Sequence, residues 1–190
     1  MKNPMKICRA YRTACVMAII SLSLSACSGD RKDASEAQQE SLDAKDILEP
    51  EQLITLFPDP PAGFSIADTR SLMDTATGDS IANAALRLVN SDSAEIIVTL
   101  SDYFYAREFY KLATGLWTPE LSFEDGGNYA RELRLPEGQS GWESFDVDSR
   151  QGTMLIGVKD RYLVSCQADG LDDLNAVRAW MSSGWMDKLP

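Results

Sequence analysis

Residues 153–168 read Thr-Met-Leu-Ile-Gly-Val-Lys-Asp-Arg-Tyr-Leu-Val-Ser-Cys-Gln-Ala, and this stretch decides the fold. Met154, Ile156 and Val158 fall on one face of a two-residue period, and so do Tyr162, Val164 and Cys166. Lys159-Asp160 is too short a connection for anything but an antiparallel return. Each strand therefore has one apolar face, and a sheet with one apolar face must be covered on that side.

The same period runs upstream and downstream of it. Ala84, Leu86 and Leu88 alternate with Asn83, Ala85 and Arg87. Ile96, Val98 and Leu100 alternate with Glu95, Ile97 and Thr99. The turn residues Asn90 to Ser93 lie between the two sets, which predicts a hairpin with a four-residue loop. Further strands are expected over Tyr129–Leu135 and Gly141–Asp148, with breaks at Pro136–Ser140 and Ser149–Gly152. Glu124-Asp125-Gly126-Gly127-Asn128 reads as a tight turn.

Helical spacing appears in three places. Pro50 suits a first turn, Leu53, Ile54 and Phe57 give it an apolar stripe, and Pro58, Pro60 and Pro61 stop it. After Asp102, a natural cap, Tyr105, Phe109, Leu112 and Leu116 form one stripe; Tyr103, Ala106, Tyr110 and Ala113 form a second beside it. So wide an apolar face favours core packing over an aromatic ligand box. Asp169, Asp172 and Asp173 open a last helix with negative charge at its positive end, and Leu171, Leu174, Val177 and Met181 line its packing side. The polar stretch Ser65–Asp79 carries no clear period. The expected fold is thus α+β: an antiparallel sheet of about six strands with packed helices, in the order helix, two strands, helix, four strands, helix.

The amino-terminal region has a different character. Lys2, Lys6, Arg9 and Arg12 precede an apolar run of 13 residues, Ala14–Ala26, which contains three serines. A spanning helix needs roughly 20 mainly apolar residues, so the run is too short to be one. It ends in Leu24-Ser25-Ala26-Cys27, and Leu24 sits where an ordinary secretory cleavage site wants a small residue. This arrangement resembles the lipobox of bacterial lipoproteins. The resemblance implies cleavage after Ala26, with Leu24 and Ser25 in the recognition site, and acyl chains on Cys27 that hold the mature protein on a membrane without a crossing helix. Ser28, where an aspartate would favour inner-membrane retention, points to the periplasmic face of the outer membrane. The expected organisation is a signal peptide over 1–26, a lipidated start and tether over 27–46, and one globular domain over 47–190. The tether has a single large apolar residue, Leu42, and cannot bury enough surface to order itself.

Composition narrows the function. The net charge is −11, and losing the four basic residues of the signal leaves −15. With no basic cluster after Cys27, nucleic acid is excluded as a partner. The chain has no histidine, which removes Ser-His-Asp, Cys-His and H-E-x-x-H chemistry. Of four cysteines, Cys8 and Cys15 leave with the signal and Cys27 carries lipid. Cys166 remains, and it reads as a small buried hydrophobe in its strand.

No cofactor or metal is expected. The acidic group Asp169, Asp172 and Asp173 lacks the spacing of a calcium loop and reads as helix capping. Glu124, Asp125 and Asn128 read as turn chemistry. The candidate ligand-binding residues are the aromatics Trp117, Phe123, Tyr129 and Trp142, which suit a carbohydrate or peptide groove. The layout of Leu53–Phe64, the hairpin ending at Asp102, and the Gly152–Gly170 hairpin before the last helix is similar to the PsbP-like fold. That similarity implies a binding or assembly module and not an enzyme. The expected role is non-enzymatic, with an envelope protein as partner; the alternative is a hydrolase with paired carboxylates acting on a glycan.

Overall fold

The computed structural model describes residues 46–75, 80–133, 135 and 139–190. The signal, the lipobox with Cys27 and most of the tether lie outside the described residues.

Alternation produces strands wherever it was read, and two more besides. The strands are β1 (Phe64–Asp74), β2 (Ile81–Asn90), β3 (Glu95–Asp102), β4 (Phe123–Asp125), β5 (Asn128–Glu132), β6 (Gln139–Asp146), β7 (Gln151–Val158) and β8 (Tyr162–Asp169). They form one open sheet in the order β1-β2-β3-β8-β7-β6-β5-β4, and every pairing is antiparallel. Two meanders thus meet at the β3–β8 seam. The segment after β3 must travel from the middle of the sheet to its far edge before β4 begins.

Three short helices accompany the sheet: α1 (Pro50–Ile54), α2 (Arg107–Thr114) and α3 (Asn175–Met181). The expectation of an α+β fold with about six strands and a PsbP-like layout is therefore corrected. Among the described residues the chain is mostly β, with eight strands. β1 lies in the polar stretch Ser65–Asp79. It is an edge strand exposed along most of its length, so no face of it needs an apolar period. A register shift between Ile66 and Asp68 and an Asp68–Arg70 ion pair blunt that edge against further pairing. β4 has only three residues and is bounded by the expected turn. Gly126 (φ +60°) and Gly127 (φ +90°) supply the two positive φ angles that a type I′ hairpin requires.

The register puts the read alternation on one side. Ala84, Leu100, Val164, Ile156 and Gly141 face each other in one row across β2, β3, β8, β7 and β6. Leu88, Ile96, Ala168, Gly152 and Phe145 form another row. Leu53 of α1, Val177 and Met181 of α3, and Trp185, Met186 and Leu189 of the carboxy-terminal 3-10 turn belong to the same buried cluster. Each fully buried aliphatic side chain here contributes about 1.5–3 kcal/mol. Gly152 makes room for Leu174: a Cβ there would lie 2.5 Å from a Leu174 methyl.

The last helix starts later than expected, at Asn175. Leu174, Val177 and Met181 are buried as the period required. The middle helix also starts later, at Arg107, and its orientation reverses one expectation. Tyr110 and Ala106 of the second stripe are buried, whereas the first stripe is exposed: Tyr105 by 53%, Phe109 by 40%, Leu112 by 67% and Leu116 by 52%. The opposite, outer face of the sheet presents Thr99, Ser165, Leu155 and Trp142 in one row and Ile97, Gln167, Thr153 and Ser144 in the next. All eight keep part of their surface in solvent.

Candidate functional site

Asp102 sits in phase with Val98 and Leu100, so its strand drives a carboxylate into the core. It is fully buried, and Arg161, six per cent exposed, meets it there. Arg161 Nε donates to Asp102 Oδ1 at 2.8 Å and Nη2 to Oδ2 at 2.6 Å. The remaining acceptor capacity of the carboxylate is also used, by the backbone N–H groups of Leu48 and Phe104. The guanidinium lies 4.6 Å from the Phe104 ring and 4.8 Å from that of Tyr162. Burial acts to lower the Arg161 pKa, but the hydrogen bonds and charge of Asp102 outweigh it, and the net shift is upward.

This clamp also fixes where the amino-terminal segment reaches the domain. Arg161 Nη2 donates to the Asp46 carbonyl at 2.5 Å, and the Tyr105 hydroxyl donates to Asp46 Oδ1 at 2.6 Å. Asp102 therefore acts as a brace between strand, loop and amino terminus and not as the cap of α2, whose N-cap position is held by Ala106 without a side-chain bond.

A second buried carboxylate, Glu143, is one per cent exposed and in phase with Gly141 and Phe145. Arg131 Nε donates to its Oε1 at 2.8 Å, and Arg178 of α3 donates from Nε and Nη2 at 2.8–3.1 Å. The Arg131 guanidinium stacks 4.4 Å from the Tyr129 ring. Glu143 thus ties α3 to the β5–β6 half of the sheet. Sequence reading missed both pairs. The available signal was a charge at an inward-facing position of an otherwise apolar alternation.

The four candidate aromatics are not brought to one face. Tyr129 is in register with Phe145, on the helix-covered side, and its ring lies 6.1 Å from that of Phe145. Trp142 and Phe123 belong to the outer face, through the registers Trp142–Leu155 and Phe123–Ala130–Ser144. Trp117 is half-buried in the turn after α2. A groove using all four is ruled out by parity, because Tyr129 and Trp142 occupy opposite sides of the sheet.

Where α2 crosses the outer face, Gly157 is the point of contact: a Cβ there would lie 2.5 Å from the Tyr110 hydroxyl oxygen. Beside it is a cavity of about 260 Å³ lined by Tyr110, Gln139, Ser140, Gly157, Lys159 and Asp160. That is smaller than the usual 300–1,000 Å³ ligand site. Burial, with the Asp160 charge adding to it, pushes the Tyr110 phenol up to about 12. Lys159 donates to the carbonyl of Leu189 and, at 3.5 Å, to that of Asp187. Its ammonium is thus engaged with the carboxy-terminal segment.

The acidic group before α3 is divided among separate tasks. Asp173 accepts from the Asn175 backbone N–H at 2.8 Å, and Asp172 pairs with Arg150. Among the described residues no group of three or more His, Cys, Asp or Glu is arranged to hold a metal ion. Cys166 is buried, and desolvation pushes its thiol up to about 12, which withholds the thiolate that nucleophilic chemistry requires. Asn128 of the tight turn accepts from the Val147 backbone N–H at 2.7 Å.

Among the described residues, six of the ten large exposed hydrophobic side chains fall in the sequence between Tyr105 and Phe123. Among the described residues no helix is long and apolar enough to cross a membrane. Comparisons of the chain with protein-family models, with curated proteins and with solved structures find no match.

Proposed function

We propose that this chain is a lipoprotein of the periplasmic face of the outer membrane, anchored through Cys27, that works as a non-enzymatic binding or assembly module for another envelope protein. The observation that supports a binding role is the open outer face of the sheet. Ile97, Leu155 and Trp142 lie there among Thr99, Thr153, Ser165 and Gln167 on rigid central strands, and all are partly exposed. Surfaces that mix apolar and hydroxyl-bearing side chains on a rigid scaffold suit recognition. A glycan hydrolase needs two carboxyls facing each other across a cleft. Among the described residues the buried carboxylates are Asp102 and Glu143, and each has its oxygens occupied by arginine.

The anchor is tested by Cys27→Ala, which abolishes labelled-palmitate incorporation; undiminished incorporation overturns the localisation. The recognition face is tested by a photo-crosslinking amino acid at position 97 of the full lipoprotein in its native envelope. A discrete cross-linked protein is expected, and its measured association rate falls at about 0.5 M salt, because complementary charge acts over a Debye length of about 8 Å at physiological ionic strength. Absence of any cross-link from Ile97, together with glycan cleavage by the purified protein, overturns the binding reading.

A further inference from the structure

We propose that the exposed stripe of α2 seats the domain on the lipid leaflet that holds its anchor, so that the tether and this helix together fix the orientation of the sheet. This rests on the reading of Cys27 as the lipidated residue. The stripe, Phe109 and Leu112 on α2 with Tyr105 and Leu116 just beyond its ends, is one half of the wide apolar face that helical spacing marks, and it is exposed. The other side of the same helix is already committed, with Ala106 and Tyr110 buried and the Tyr110 hydroxyl above Gly157. A helix with one face on a rigid sheet and an apolar face outward has the character of an interfacial element. Arg107, Glu108 and Lys111 are exposed on it, with Lys111 paired to Glu108 at 2.7 Å, and long basic side chains keep their charge in water while their stems lie on apolar surface.

The position of the amino-terminal segment selects lipid as the occupant. Asp46, the first described residue, is bonded to the Tyr105 hydroxyl at the start of the stripe and to Arg161 behind it. Cys27 lies 19 residues before Asp46, and a chain of that length spans at most about 65 Å when fully extended. The leaflet carrying the acyl chains is thus held within reach of this end of the domain, and docking becomes an intramolecular event at high effective concentration. A contact too weak to recruit a free protein can orient a tethered one.

The test uses the full lipidated protein in vesicles of phosphatidylethanolamine and phosphatidylglycerol, with an NBD label on Leu112→Cys or, as a control, on Asp92→Cys. Asp92 is exposed in the β2–β3 turn, at the opposite end of β3 from α2. Cys166, one per cent exposed, does not compete for the label. The expected result is blue-shifted NBD emission at 112, quenched by dibrominated lipid at least about twofold more than at 92, and a fall in that quenching when Phe109→Ser and Leu116→Ser are added. Equal quenching at 112 and 92 in protein that floats with the vesicles overturns the seating while leaving the anchor intact. Protein that does not float with the vesicles overturns the anchor reading, and the seating with it. A blue shift that follows protein density and is indifferent to brominated lipid assigns the stripe to a second copy of the chain and overturns lipid as the occupant.

Discussion

At the scale of single residues, the largest stakes lie in the charges that alternation carries inward. Asp102 has no exposed surface, and its charge is tolerated because Arg161 matches it with two hydrogen bonds and two backbone N–H groups complete its shell. Removing one partner of such a pair leaves an uncompensated charge in the interior and costs about 3–5 kcal/mol. Arg161→Met is expected to lower the unfolding free energy by that amount in urea titrations. The double variant Arg161→Met with Asp102→Asn is expected to lose clearly less than the sum of the two single changes, because the neutral amide needs no cation. Additive losses would show that the pair is not coupled. The loss of the Arg161 contact to the Asp46 carbonyl also predicts faster hydrogen exchange at Leu48.

At the scale of elements, glycines decide which helix can rest on which side of the sheet. Gly152 and Gly157 are both on β7, five residues apart, and odd spacing places them on opposite faces. Gly152 admits Leu174 ahead of α3, and Gly157 admits Tyr110 of α2, each at a distance where a Cβ would lie 2.5 Å from the neighbour. Valine at either position overfills a close contact and is expected to cost roughly 1–3 kcal/mol. The two differ in what else they change. Gly157→Val lifts α2 and shifts the emission of Trp117, which follows it, while Gly152→Val leaves that emission unchanged. Identical spectral effects from both would mean that α2 is not held through Tyr110.

At the scale of the whole molecule, acid groups buried in their protonated forms set a ceiling in alkaline solution. The Cys166 thiol is raised by desolvation from its ordinary 9.0 to about 12. Burial likewise raises Tyr110, to about 12, and raises Tyr162 further. The folded state therefore holds these protons more tightly than the unfolded chain. Their contribution to stability is complete below about pH 9 and is lost as the pH rises from about 9 toward 12, by up to about 1.4 kcal/mol per pH unit for the thiol. Unfolding free energy measured at about pH 8 and about pH 10.5 is expected to fall accordingly. Cys166→Ala removes the part of the fall that begins near pH 9, and an unchanged profile in that variant would mean that the thiol is solvated.

What the sequence determined by itself is the local part of this architecture. Alternation is a property of neighbouring residues, so the apolar faces of β2, β3, β7 and β8, the antiparallel hairpins and the Gly126-Gly127 turn were all legible without a partner in view. The packing side of α3 was legible too, because one of its faces is polar. β1 was not legible, since an edge strand exposed along most of its length is under no pressure to alternate. Sheet order was not legible either, because pairing β3 with β8 joins residues some 65 positions apart and leaves no periodic trace. The same limit applied to the site. Trp142 and Tyr129 are close in sequence and chemically alike, yet strand parity sends them to opposite sides. For α2 the period offered two adjacent apolar stripes, which read together as one wide core-packing face. The choice between them was made by tertiary structure, through the space above Gly157 that accepts Tyr110 and turns Phe109 and Leu112 out toward solvent.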